Sequence, residues 1–147
     1  MTSSLYTQIV LDHSRAPRNF GALEGHTHAA DGVNPLCGDA LRVELRSADS
    51  RVAELRFRGE ACAVARAAAS MLSEVACGKT AAQIADLEAR FVKLVEGSIE
   101  RDDRLADLNA MAPLVQHPAR RKCALLAFAT LRAALAGAVS ATTEGNA

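Results

Sequence analysis

Two stretches of the chain, Leu41–Arg46 and Val52–Arg58, alternate apolar and polar residues across the turn formers Ser47-Ala48-Asp49-Ser50. A period of two sends successive side chains to opposite faces of a strand, so the pair predicts an antiparallel hairpin with one buried face. After Gly59-Glu60 the pattern changes. Ala61–Ala76 is apolar on nearly every side, which predicts a buried helix stopped by Gly78. Strand pairing followed by a helical run is the outline of an α+β domain.

The remaining segments fit that outline. Leu5–Ser14 reads as a short amphipathic helix with Leu5, Ile9, Val10 and His13 near helical spacing, Ser3 or Ser4 as its cap, and an end before Pro17. Gly21–Asp31 reads as a loop or irregular strand, and Asn34-Pro35-Leu36-Cys37-Gly38-Asp39 as a turn. Thr80-Ala81-Ala82-Gln83 is a capping box for a helix running to about Glu96. Gly97–Asp107 is a charged connection, and Leu108–Val115 is a short apolar segment whose form stays open. Pro118 occupies the favoured first position of a last helix, expected to reach about Val139. Ser140–Ala147 is small and polar and is expected to be a disordered tail.

The expected architecture is a small antiparallel β-sheet of about three strands packed against a group of α-helices, in one domain over residues 1–147. A chain of this length buries about 70% of the surface its unfolded form exposes, so it can fold without disulfides. Aromatic residues are only 3% and Trp is absent, so there is no stacking platform for nucleic-acid bases. Seventeen basic residues balance 17 acidic ones, which gives no support to a nucleic-acid or membrane partner. The first 20 residues lack a basic region followed by an apolar run, and no stretch approaches the roughly 18 apolar residues of a membrane span. A soluble, cytoplasmic protein is expected.

In the reducing cytosol, four cysteines are core residues, metal ligands or reactive thiols rather than disulfides. Cys37 lies in a turn, where Gly38 permits a tight bend that can point Asp39 back toward the thiol. A turn whose Asp bonds only its own backbone is an even alternative. Cys62 falls at or near the first turn of the buried helix, where free amide N–H groups favour thiolate; a small packed residue is the plainer reading. Cys123 follows Arg120-Arg121-Lys122, three cations at the positive end of a helix dipole. They either hold Cys123 as thiolate, dock an acidic partner surface, or form a solvated face. Cys77 reads as packing. His13, His26, His28 and His117 show no ligand spacing. Local spacing therefore offers three thiols and a carboxylate, but does not show that they converge.

These residues resemble the IscU/NifU N-terminal family, most closely its SufU branch. The matching stretches are Leu5-Tyr6, Asp12-His13, Pro17-Arg18-Asn19-Phe20-Gly21, Asn34-Pro35-Leu36-Cys37-Gly38-Asp39, Phe57 to Ala63, Ala68 to Leu72, Gly78-Lys79-Thr80 and Pro118 to Cys123. The resemblance implies an IscU/SufE-like fold in which Cys37, Asp39, Cys62 and Cys123 surround one site suited to zinc or to a transient iron–sulfur cluster. Cys62 and Cys123 stand 61 residues apart, and Lys122 precedes Cys123 where IscU-like scaffolds have histidine; both features favour SufU.

That branch implies a zinc-dependent sulfurtransferase role. Cys37 accepts persulfide sulfur from a SufS-type cysteine desulfurase and feeds a SufBCD-type scaffold. Arg120 matches an arginine used at the desulfurase interface, and Arg121 and Lys122 extend that candidate surface. The alternatives are an IscU-like scaffold assembling a cluster on the same ligands, and an interaction module in which zinc only supports folding. Ala61 departs from the glycine usual before the second cysteine, and Val64-Ala65-Arg66 replaces a serine-containing segment.

Overall fold

The computed structural model describes residues 2–144. Helix α1 (Thr2–Arg15) leads through a loop to strands β1 (His28–Asn34), β2 (Asp39–Ala48) and β3 (Arg51–Glu60). Helices α2 (Ala63–Ala76) and α3 (Ala81–Glu96) follow, then a 3-10 segment (Asp103–Gln116), helix α4 (Pro118–Leu135) and a short strand β4 (Ser140–Thr142). The sheet order is β3-β2-β1-β4, with β4 parallel to β1 and the other pairs antiparallel. The expected α+β class is observed, with four strands instead of about three. Capping by Ser3 or Ser4 concerns side chains outside those described, and residues 145–147 also lie outside.

The hairpin extends beyond both alternating stretches. Its second strand carries buried Val52, Leu55 and Phe57, a spacing that breaks strict alternation. The register explains this: Ser47 pairs with Val52 and Arg46 with Glu54, so Ala53 is the extra residue of a bulge. The bulge returns Leu55 and Phe57 to the face that Val52 shares. That inner face, with Leu41, Val43 and Leu45, packs under the helices. The buried alanines Ala67, Ala68 and Ala69 keep α2 thin, so α1 and α4 can close on it without aromatic filling.

The Thr80–Gln83 capping box forms, with Gln83 N–H donating to Thr80 Oγ1 at 3.2 Å and Thr80 N–H to Gln83 Oε1 at 2.9 Å. Pro118 begins α4 as expected, but the helix ends at Leu135 instead of Val139. The segment after it turns back to lie along β1, where Asp31 N–H donates to Val139 O and Thr143 N–H to Val33 O. Ser140–Thr142 is therefore an edge strand, and only later residues of the expected tail lie outside the description. The loop before β1 is tied over the outer face of the sheet by the buried Glu44. Burial pushes its carboxyl pKa up, but the Leu23 N–H at 2.8 Å and the Arg42 guanidinium outweigh that and hold it below the usual value.

Residues 108–115, left open by sequence, belong to the 3-10 segment. Pro113 has no N–H to donate, and Ala106 departs from helical geometry with φ 49° and ψ −129°. Buried Asn109 holds the bend: its Oδ1 accepts the Asp102 N–H at 2.9 Å and its Nδ2 donates to Asp102 O and Ala106 O at 2.8 and 2.9 Å. Asn109→Ala removes these three partly buried hydrogen bonds, while Asp102 O keeps the Leu105 N–H at 2.9 Å. It is expected to lower stability by about 2–4 kcal/mol in urea unfolding, against under ~0.5 kcal/mol for a substitution at exposed Asp103.

Candidate metal and sulfur site

The β1–β2 turn, the β3–α2 junction and the start of α4 meet at one end of the sheet. Asn34 and Asp39 are partners across β1 and β2, and Ala40 pairs with Glu60 of β3, so Asp39 and Cys62 emerge side by side. In the turn, Cys37 N–H and Gly38 N–H both donate to Asn34 O, at 3.2 and 2.9 Å. Gly38 takes φ 73°, which a residue with a Cβ adopts only under strain. The backbone therefore reverses as the sequence suggests and returns Asp39 to the sheet.

The Asp39 side chain does more than bond its own turn. It is buried, and its Oδ1 accepts the Cys62 N–H at 2.8 Å, which fixes the entry to α2. Its Oδ2 is 3.9 Å from Cys62 Sγ. Cys62 is the N-cap of α2 rather than a first-turn residue, and its Sγ accepts the Ala65 N–H at 3.5 Å. Cys123, fully buried on α4, has its Sγ 3.3 Å from Cys37 Sγ. The donor atoms of Cys37, Asp39 and Cys123 all lie within 4.8 Å of one another, and Cys62 sits beside that trio against Asp39.

Exposure divides the thiols: Cys37 is exposed, Cys62 partly so, and Cys123 is buried. The Cys123 thiol is pushed well up from its ordinary pKa, first by burial, then by its hydrogen bond with Cys37, by the Cys62 charge and by a hydrogen bond with Asp39. The three cations before it do not act together. Arg120 faces the site, where Cys62 foremost and then Cys123 hold its guanidinium above the usual value. Arg121 instead donates to Leu114 O and Val115 O at the end of the 3-10 segment, at 3.2 and 2.6 Å. Lys122 pairs with Glu144 at 2.6 Å.

Asn34, read from sequence only as a turn former, is part of the site. It is fully buried; its Nδ2 donates to Asp39 Oδ2 at 3.3 Å and lies 3.5 Å from Cys123 Sγ. Its Oδ1 accepts the Thr143 hydroxyl at 3.0 Å, which ties the site to the residue after β4. Nothing local in the sequence separates such an asparagine from an ordinary turn residue. Cys77, read as packing, is an exposed cap of α2 whose S–H reaches Ser73 O at 3.6 Å, and it takes no part in the cluster. His117 caps α4 without a side-chain bond.

Cys37, Asp39 and Cys123 offer donors of metal-binding type within 4.8 Å of one another, and Cys62 lies outside that mutual grouping. Sulfurs bound at about 2.3 Å stand roughly 3.8 Å apart around a zinc ion; the Cys37 and Cys123 sulfurs are 3.3 Å apart, and the 3.9 Å contact joins Cys62 Sγ to the Asp39 Oδ2 oxygen.

The fold and this site define a class. A family model described as the NifU-like N terminal domain matches residues 5–138, and the chain belongs to that family. Among curated proteins it is 33% identical over 135 residues to the zinc-dependent sulfurtransferase SufU of Bacillus subtilis (strain 168), covering 90% of each chain. It is 30% identical over 131 residues to the iron-sulfur cluster assembly scaffold protein IscU of Thermotoga maritima, covering 89% of this chain and 92% of that one. Among solved structures it superposes with a TM-score of 0.82 on a putative iron-sulfur cluster assembly scaffold protein for the SUF system from Fervidobacterium islandicum AW-1. That superposition covers 90% of this chain and 97% of the other at 23% identity, and it speaks for the fold.

Proposed function

We propose that this chain is a SufU-type sulfur acceptor of iron–sulfur cluster assembly, with Cys37 as the acceptor and Cys37, Asp39, Cys62 and Cys123 as zinc ligands. The observation that carries this reading is the asymmetry of the site. The exposed Cys37 sits on a turn at the mouth, whereas Asp39 and Cys123 are buried and held by Asn34. One thiol is placed to meet a partner, and the others are placed to stay.

In the reaction, the Cys37 thiolate attacks the outer sulfur of a persulfide on a cysteine desulfurase. The persulfide S–S bond breaks, a new S–S bond forms on Cys37, and the desulfurase cysteine leaves as thiolate. Zinc held by the four donors keeps their thiols deprotonated and protects them from oxidation. Arg120, beside the site, supplies positive charge for the incoming sulfur anion or an acidic partner surface. A SufS-type desulfurase as donor and a SufBCD-type scaffold as recipient complete the reading, in the cytoplasm. Among the described residues no helix is long and apolar enough to cross a membrane.

The similarity to IscU, at 30% against 33% for SufU, favours a second reading in which a transient cluster assembles on the same donors. A carboxylate suits cluster iron less well than a fourth thiolate, so such a cluster would be labile. The test is the turnover of the cognate desulfurase, with reductant, in the presence and absence of the zinc-loaded chain. The expected result is strong stimulation, with one extra sulfur on the chain by mass when the reductant is left out. No stimulation, together with cluster absorbance after anaerobic reconstitution, would replace this reading with the scaffold.

A further inference from the structure

A second group of ligand-type side chains lies away from the thiols. His13 of α1 is 1% exposed, although the sequence gives it no partner at ligand spacing. Its Nδ1 lies 2.7 Å from the buried Ser70 Oγ on α2. Its Nε2 lies 2.9 Å from Asp107 Oδ2 on the 3-10 segment and 3.9 Å from Glu74 Oε1 on α2. One atom from each of His13, Glu74 and Asp107 falls within 4.8 Å of the others. We propose that these three residues form a second divalent-cation site, suited to zinc or another first-row ion that accepts mixed nitrogen and oxygen ligands.

The geometry accommodates an ion as well as the His13–Asp107 hydrogen bond. Nitrogen and oxygen ligands bound at about 2.0–2.2 Å stand roughly 3.4 Å apart in a tetrahedral site, between the 2.9 and 3.9 Å found here. Burial fixes the imidazole plane, and Ser70 supplies the outer partner that orients a metal-bound histidine. Ser70 Oγ already accepts the Arg18 N–H at 2.8 Å and has a second lone pair for a proton on Nδ1. Without the ion, the Ser70 hydroxyl donates to Nδ1 and Nε2–H donates to Asp107. With the ion, the ring proton resides on Nδ1, Ser70 turns to accept it, and Nε2 offers its lone pair.

Access agrees with this. The two carboxylates are about half exposed at a surface cleft that Met71, Val75 and Ala106 also line. Ala106, at φ 49°, is the strained residue immediately before Asp107, and strain of this kind persists only where surrounding structure enforces it. The basic groups nearby are Arg18, already paired with Asp12 at 2.6 Å, and Lys79 on the cleft wall. Lys79 is partly buried, and Arg18 is attracted by both carboxylates as well as by Asp12, so an added cation would share the carboxylates with Arg18.

The test is zinc binding to the full chain, measured by competition with a chromophoric chelator, with the His13 ring nitrogens followed by NMR. The wild type is expected to take one more equivalent than Glu74→Gln or Asp107→Asn. Each substitution should weaken that equivalent by more than the roughly 10–100-fold that loss of an outer-shell partner costs. The His13 Nε2 signal should shift as the extra ion binds to the wild type. Both variants alter half-exposed side chains, so circular dichroism should show them folded. Superimposable binding curves for all three proteins, or a His13 ring unmoved by the added zinc, would overturn the proposal.

Discussion

Cys37→Ala should abolish sulfur acceptance while zinc remains bound, whereas Cys123→Ala should lose zinc, acceptance and stability together. Both substitutions remove one thiol from the proposed ligand set, and their surroundings make the outcomes differ. Cys37 is exposed, and its turn is held by backbone bonds to Asn34 O that survive loss of the sulfur. Three protein ligands with an open fourth position are a stable zinc arrangement, so Asp39, Cys62 and Cys123 suffice to keep the ion. Desulfurase stimulation should fall to background, since Cys62 is only partly exposed and Cys123 is buried. Cys123 is fully buried between α4 and the sheet end, against Cys37 and Asn34. Its loss removes the best-anchored ligand, leaves a small cavity costing about 1 kcal/mol or more, and leaves Arg120 without one of its two sulfur neighbours. Zinc content by elemental analysis and desulfurase turnover, run side by side, decide the matter. Full stimulation by Cys37→Ala would remove Cys37 from the acceptor role.

Gly59→Ala should destabilise the chain by about 3 kcal/mol or more and loosen the site with it. Gly59 has φ 135°, a conformation L side chains rarely adopt, and strain of this kind costs about 1–3 kcal/mol. A Cβ there would also stand 2.2 Å from Ala40 O and 3.0 Å from Leu41 Cα, backbone atoms of the neighbouring strand that cannot swing aside. Relief requires β2 and β3 to separate between Asp39 and Cys62, which are joined by the 2.8 Å hydrogen bond at the site. A lower unfolding midpoint and weaker zinc retention should therefore appear together. Gly25→Ala is the control. It also has positive φ, at 77°, but nothing lies within 4 Å of its added Cβ, so only the backbone cost of about 1–2 kcal/mol remains. Equal effects at the two positions would show that strand contact at Gly59 contributes nothing.

Much of the scaffold is legible in the order of residues, because its signals act over a few positions. The hairpin follows from alternation, the start of α3 from a capping box closed by side chains three residues apart, and the start of α4 from a proline that suits a helix's first turn. The elements that escape local reading depend on remote partners. Ser140–Thr142 is a strand only because β1 offers it an edge, and its polar residues carry no period of their own. The Ala53 bulge appears only in the pairing of two strands. Residues 103–116 are held by Asn109, whose three bonds exist only once the bend is made.

The site divides in the same way. The Cys37-Gly38-Asp39 turn is a local event, set by a glycine with positive φ and by bonds to Asn34 O, so the residue order there is enough to specify it. The meeting of that turn with Cys62 and Cys123 was decided by the tertiary structure, because the packing of α4 on the sheet brings residue 123 to residue 37. The same packing separates three adjacent cations. It aims Arg120 at the sulfurs and sends Arg121 to a carbonyl pair and Lys122 to Glu144. It also makes His13, an ordinary residue of an amphipathic helix in one dimension, the buried centre of a cluster drawn from three elements. A turn closes through bonds between near neighbours, which the residue types reveal. A dispersed donor set closes through core packing, which is spread over dozens of apolar contacts and leaves no mark at the residues it brings together.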